Sequence, residues 1–113
     1  MLSRANRLNK QKDFEAVFKQ GKTKQDKFFV IRAILNDQKK SRFGLVVSAK
    51  VSKKAVERNL LRRRLGEIVR KFPKNVKSGL DIIIIAKSGA AEMEYKKIED
   101  SLEKLLVASG IYG

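Results

Sequence analysis

Asn59, Arg62, Arg63 and Arg70 fall on one flank when the surrounding segment is drawn as a helix at about 100° per residue. Guanidinium forks match phosphate oxygens in bidentate geometry, so a flank of this kind suits the binding of a polyanion. The segment from Lys50 to Lys71, KVSKKAVERNLLRRRLGEIVRK, places nine of the chain's 27 Lys and Arg residues in 22 positions, opposed only by Glu57 and Glu67. A merely solvated helix mixes its signs, whereas this one does not. Leu61, Leu65, Ile68, Val69 and Phe72 form the adjoining face, so one side packs and another binds.

A second set of residues lies earlier. Phe14, Val17 and Phe18 stand at i, i+3 and i+4, which puts two aromatic rings on one helical face. At that spacing two readings stand side by side: core packing, and a platform on which unpaired bases stack. Arg32 is the one charge in the apolar run Phe28 to Leu35 and is expected to face a cleft or solvent. The acidic pairs Asp13/Glu15 and Glu92/Glu94 read as solvated charge, not as a metal site.

Composition narrows the chemistry. The chain has 113 residues, a formal net charge of +15, no cysteine and no histidine. Disulfides, thiolate metal sites and the commonest general base are therefore missing, which disfavours a stand-alone nuclease. The lack of cysteine fits a reducing, cytoplasmic setting. Residues 1 to 87 hold 24 basic and seven acidic residues, net +17, and residues 88 to 113 hold three and five, net −2. Nucleic acid is the leading partner class, and the C-terminal segment stands outside the binding face. The start of the chain has no apolar targeting region, and the longest apolar run, Ile82 to Ala86, is far too short to span a bilayer. The basic helix has no Trp and needs its apolar stripe for the core, which argues against a membrane surface.

These residues need elements to hold them. Asp13 to Lys19 reads as a short amphipathic helix ended near Gly21. Phe28 to Leu35 and Phe43 to Ala49 read as strands, expected to pair as an antiparallel hairpin across the polar stretch 36–42. The basic helix is expected from about Lys53 to Lys71, with Ser52 as its cap and Pro73 as its stop. Leu80 to Ala86, with four consecutive isoleucines, is the central-strand candidate, covered on both faces. Ser88 to Glu94 is a loop with a short turn, and Tyr95 to Ala108 is a last amphipathic helix. Length and the lack of any linker or repeat point to one domain over residues 1–113.

The block Ala55-Val56-Glu57-Arg58-Asn59-Leu60-Leu61-Arg62-Arg63, followed by Glu67, resembles the arginine-asparagine-arginine signature helix of the bacterial ribonuclease P protein family, roughly A-V-x-R-N-R-x-K-R-x-x-R-E. The likeness extends to Leu8–Gly21, with Phe14, Phe18 and Gly21 at the family's positions, to Arg42–Lys50 (RFGLVVSAK) and to Asp81–Ala86 (DIIIIA). Four matches in order span about 80 residues. Two positions depart: Leu60 stands where the second motif arginine would be, and Gly66 where a further arginine is usual. Arg32 takes a place where the family often has an aromatic residue.

The resemblance implies a two-layer α/β (α+β) sandwich, a mixed sheet packed by helices in the order α-β-β-(β)-α-β-α. It also implies a left-handed βαβ crossover of ribosomal-protein type through the basic helix, against the usual right-handed rule. It implies the protein subunit of a ribonucleoprotein endoribonuclease, whose RNA subunit with Mg²⁺ removes the 5′ leader of precursor tRNA. The protein would then carry no catalytic residue and no metal of its own. Arg58, Asn59, Arg62, Arg63 and Lys54 would bind the catalytic RNA, and Phe14, Phe18, Arg32, Ser48 and Lys50 would line a cleft for the single-stranded leader. Partners would be the catalytic RNA and the precursor tRNA leader, with no membrane and no protein partner required. The competing reading is a small basic ribosomal or ribosome-assembly protein, which has no need of paired phenylalanines facing an open basic groove.

Overall fold

Isoleucine is β-branched and favours a pleated strand packed on both sides, and three of the four isoleucines in the central strand, Ile82, Ile83 and Ile84, have no solvent exposure. They lie in β4 (Leu80–Ala86), next to β2 (Phe29–Leu35) on one side and β3 (Arg42–Val46) on the other. With β1 (Lys22–Gln25) at the far edge, the sheet order is β1-β2-β4-β3. These are elements of a computed structural model that describes residues 7–8, 10–36, 40–71 and 79–110. Three helices complete it: α1 (Gln11–Gln20), α2 (Ala55–Arg70) and α3 (Tyr95–Ala108), with a 3₁₀ turn at Ala90–Glu92.

Register assigns the two faces. Phe29, Ile31, Phe43, Ile82 and Ile84 pack with Leu61, Leu65 and Ile68 of α2 and with Ile98, Leu102 and Leu106 of α3. Full burial of such side chains is worth roughly 1.5–3 kcal/mol each. Ile83 points the other way, into a smaller cluster with Leu8 and Val17 of α1, flanked by Phe14, Ile34, Val46 and Ile85. The sheet therefore carries α2 and α3 on one face and the shorter α1 on the other, where Val30, Val46 and Ile85 stay half-buried.

The expected hairpin between the second and third strands does not form. β2 is antiparallel to β4, β3 is parallel to β4, and α2 is the crossover between β3 and β4. Arg42 stands opposite Asp81 in this register, and the Arg42 guanidinium donates from Nε to Asp81 Oδ1 at 2.9 Å and from Nη2 to Asp81 Oδ2 at 2.7 Å. Asn36 Nδ2 also donates to Asp81 Oδ1, at 2.7 Å, and Arg42 Nη1 reaches Asp13 Oδ2 at 3.3 Å, which ties α1 to the sheet.

Boundaries shift where local hydrogen bonds decide them. β3 stops at Val46, and the Val51 N–H donates to Ser48 O at 3.0 Å, closing a turn in place of the strand expected to Ala49. α2 begins at Ala55 because Lys54 is still extended; the Ser52 hydroxyl accepts the Lys54 N–H at 3.2 Å and donates to Glu57 at 2.9 Å. At the far end the Lys71 N–H bonds Ile68 O at 3.1 Å. The expected Phe72 packing and Pro73 stop lie outside the described residues. The strand β1, KTKQ, is exposed at all four positions and has no apolar residue to announce it. Its turn into β2 is built by Asp26, whose Oδ1 accepts the N–H groups of Phe28 and Phe29, both at 2.8 Å.

Candidate nucleic-acid interface

α2 buries Leu61, Leu65, Gly66, Ile68 and Val69 and turns its arginine flank outward. Three of the polar side chains there are already oriented by the protein. Arg58 Nη1 donates to Ser52 O at 2.9 Å. Arg62 Nη1 donates to Asn59 Oδ1 at 2.9 Å, and its Nη2 to Val47 O at 3.3 Å. Arg63 is exposed and engages no hydrogen bond or ion pair among the described residues. Lys54 is also exposed, and its 4.0 Å contact with Glu57 is a surface pair of the kind worth little.

Between α1, β3 and α2 lies a groove of about 350 Å³. Its floor is apolar, made by Leu8, Phe14, Phe43 and Leu45. Its rim is polar, made by Arg7, Asn59, Arg62 and Arg63, and among the described residues no carboxylate lines it. Two glycines shape the space. At Gly44 a Cβ would stand 2.6 Å from Phe14 Cζ, so the bare backbone is what lets that ring lie against the sheet. At Gly66 a Cβ would meet only Leu45 Cδ1, at 3.9 Å, so the missing side chain leaves the α2 wall open.

Phe18 is 42% exposed. The Arg32 guanidinium sits 5.6 Å from its ring centroid and donates to its backbone carbonyl, while Arg32 Nε is buried with no partner among the described residues. This pair lies on the α1 face of the sheet, where Arg32 is flanked in register by Thr23 and Ile83. Ser48 and Lys50 are exposed in the turn between β3 and α2, with the Lys50 N–H donating to Ser48 Oγ at 3.3 Å.

The residues expected in a single leader cleft are thus distributed. Phe18 and Arg32 are together, Ser48 and Lys50 follow the end of β3, and Phe14 turns into the groove it shares with Asn59, Arg62 and Arg63. Leu60 and Arg64 are half-buried, and neither lines that groove. Arg7 was missed by sequence reasoning. It reaches the rim because Arg7 bridges to Phe43 in parallel and the Leu8 N–H bonds Phe43 O at 2.8 Å, a pairing that leaves no periodic signal in so short a stretch.

A mixed sheet with helices on both faces, an arginine flank on the crossover helix and a cation-rimmed apolar groove define a small basic protein of the RNA-binding class. A family model described as Ribonuclease P matches residues 2–109. The ribonuclease P protein component of Synechocystis sp. is 36% identical over 112 residues, covering 97% of this chain and 90% of that protein. That of Clostridium botulinum is 36% identical over 108 residues, covering 95% and 96%. The solved Staphylococcus aureus RNase P protein superposes with a TM-score of 0.88 at 30% identity, covering 97% of this chain and all of that one. The Thermotoga maritima RNase P protein gives 0.80 at 34% identity, covering 88% and 94%. The chain belongs to the ribonuclease P protein family: it is the protein subunit of an endoribonuclease that processes the 5′ leader of tRNA precursors, and its partner is the ribonuclease P RNA.

Proposed function

We propose that the two surfaces divide the work, α2 docking on the catalytic RNA and the α1 face of the sheet receiving the precursor tRNA leader. The carrying observation is the unopposed flank of α2, where Arg63 is unengaged and Arg58, Asn59 and Arg62 are held ready by neighbouring groups. Side chains oriented before binding lose less freedom when they meet phosphates. Lys54, at the start of α2, adds a mobile point charge to the same surface.

On the α1 face, Phe18 with Arg32 against it offers a ring and a cation to one unpaired nucleotide. Stacking of that kind is worth roughly 1–3 kcal/mol per base and reads no sequence. Ser48 and Lys50 extend the track toward α2, and Phe14 stands where the two surfaces meet. An exposed ring with a cation against it favours the leader-binding role over a purely ribosomal one.

Mg²⁺ belongs with the RNA in this reading. Three of the described carboxylates are engaged by the fold: Asp13 and Asp81 face Arg42, and Asp26 accepts backbone N–H groups and the Ser101 hydroxyl. Among the described residues no group of three His, Cys, Asp or Glu gathers that could hold a metal. In this reading the protein contributes binding and orientation to an RNA catalyst, and its setting is the cytoplasm.

Equilibrium binding tests the division. The Arg62→Ala/Arg63→Ala double variant is expected to lose affinity for the ribonuclease P RNA while the leader-dependent part of precursor binding persists. The Phe18→Ala/Arg32→Ala variant is expected to do the reverse. Equal losses of both by both variants would contradict two separate surfaces.

A further inference from the structure

We infer that the groove between α1 and α2 is a nucleobase pocket, and that it takes one unpaired base of the catalytic RNA. This rests on the reading of α2 as the RNA-docking surface and names what that surface grips besides phosphate. The groove has the two parts such an occupant needs. Phe14 gives an aromatic wall over a floor of Leu8 and Leu45, suited to the face of a base. At the mouth, Asn59 is fixed by the 2.9 Å bond its Oδ1 accepts from Arg62, which leaves its Nδ2 donors for a base edge. Arg63, unengaged beside it, suits the adjoining phosphate.

Charge selects the class of partner. With arginines on the rim, no carboxylate in the lining among the described residues and a net charge of +15 on the chain, an apolar group attached to a polyanion fits better than a basic peptide. The source is the catalytic RNA and not the leader, because Asn59, Arg62 and Arg63 of the polar rim come from α2 and only Arg7 among the described rim residues comes from elsewhere, while the proposed leader track lies over the sheet at Phe18 and Arg32. Gly66 keeps the α2 wall open: a side chain there would start 3.9 Å from Leu45 Cδ1.

The same glycine gives the test. Because a Cβ at Gly66 meets nothing closer than 3.9 Å among the described residues, a methyl group fits there without forcing the backbone, and alanine and leucine both favour the helix over glycine. Gly66→Ala and Gly66→Leu are compared with wild type for thermal melting, for affinity to a bacterial ribonuclease P RNA alone, and for chemical protection of that RNA's unpaired bases. Both variants are expected to melt no lower than wild type. Gly66→Leu is expected to bind the RNA about tenfold more weakly, the scale of one lost base stack, and to lose protection at one unpaired base, with Gly66→Ala losing less.

Wild-type affinity and protection in Gly66→Leu would overturn the pocket. A loss confined to leader-bearing precursor tRNA would overturn the assignment to the catalytic RNA. Arg63→Ala is measured in parallel: if it weakens binding and Gly66→Leu does not, the pocket fails alone. If neither weakens binding, the docking role of α2 fails with it.

Discussion

Phe14 lies against Gly44: a Cβ built on that glycine would stand 2.6 Å from Phe14 Cζ and 2.7 Å from Phe14 Cε1. The ring thus braces α1 on the sheet while forming a wall of the α2 groove, whereas Phe18, four residues on, stands 42% exposed beside Arg32. The two phenylalanines should separate experimentally. Phe14→Ala is expected to cost about 2 kcal/mol of folding stability for a half-buried ring. Phe18→Ala should cost under about 1 kcal/mol of stability but weaken leader binding by roughly 1–3 kcal/mol. Urea unfolding checks the stability losses, and leader-length-dependent binding checks the loss of affinity.

Arg42 and Asp81 form a tight pair at the end of the sheet, with side chains only 14% and 7% exposed. The pairing lifts the Arg42 pKa further, chiefly through the hydrogen bond to Asp81, so the arginine stays charged across the working range. Removing one partner leaves the other charge enclosed. Arg42→Met is expected to lose about 3–5 kcal/mol, and Arg42→Met/Asp81→Leu to recover much of it. Thermal or urea unfolding of the single and double variants decides this.

Glu99 on α3 is held below the ordinary glutamate range, first by the hydrogen bond from Lys71 Nζ at 3.0 Å and then by Lys96 at 3.5 Å. A folded pKa below the unfolded one stabilises fully above the unfolded value, about 4.3, and the gain is lost as pH falls through the folded value. Lys71, raised by Glu99, contributes fully below the unfolded lysine pKa and loses its share as pH rises through the raised one. Glu99→Gln should therefore melt lower than wild type near pH 7, and the difference should shrink as pH drops below about 4. Melting curves from pH 7 to 3 measure it.

Arg62 and Arg63 are neighbours with different duties. If Arg63 binds one phosphate, Arg63→Ala should reduce the log–log salt slope of RNA affinity by about 0.7, the share of one single-strand contact. Arg62→Lys keeps a charge but loses the fork that holds both Asn59 and the Val47 carbonyl. It should weaken binding at every salt concentration and leave the slope nearly unchanged. Titrations at several salt concentrations distinguish the two.

Strongly periodic residues announced their elements. Tyr95 to Ala108 is the helix its apolar spacing predicts, and Ile82 to Ile84 are as enclosed as a central strand requires. The strand partners were not legible, because sequence adjacency favours a β2–β3 hairpin while the Arg42–Asp81 pair and the α2 crossover place β4 between them. β1 was invisible for a different reason: an edge strand of Lys22, Thr23, Lys24 and Gln25 buries nothing and so has no hydrophobic pattern. At the candidate site, the spacing of Asn59, Arg62 and Arg63 predicted a shared flank, and all three are exposed on α2. It did not show that Phe14 would share a groove with them, since that depends on Gly44 lying under the ring.

The most direct test is cleavage of a precursor tRNA by a bacterial ribonuclease P RNA at low Mg²⁺, with and without this protein, using substrates with a long and a minimal 5′ leader. The protein is expected to restore cleavage and to favour the long leader, with that preference reduced in the Phe18→Ala/Arg32→Ala variant. Cleavage unchanged by the protein with its cognate RNA, or restored equally for both leaders, would contradict a protein that binds the catalytic RNA and the leader together.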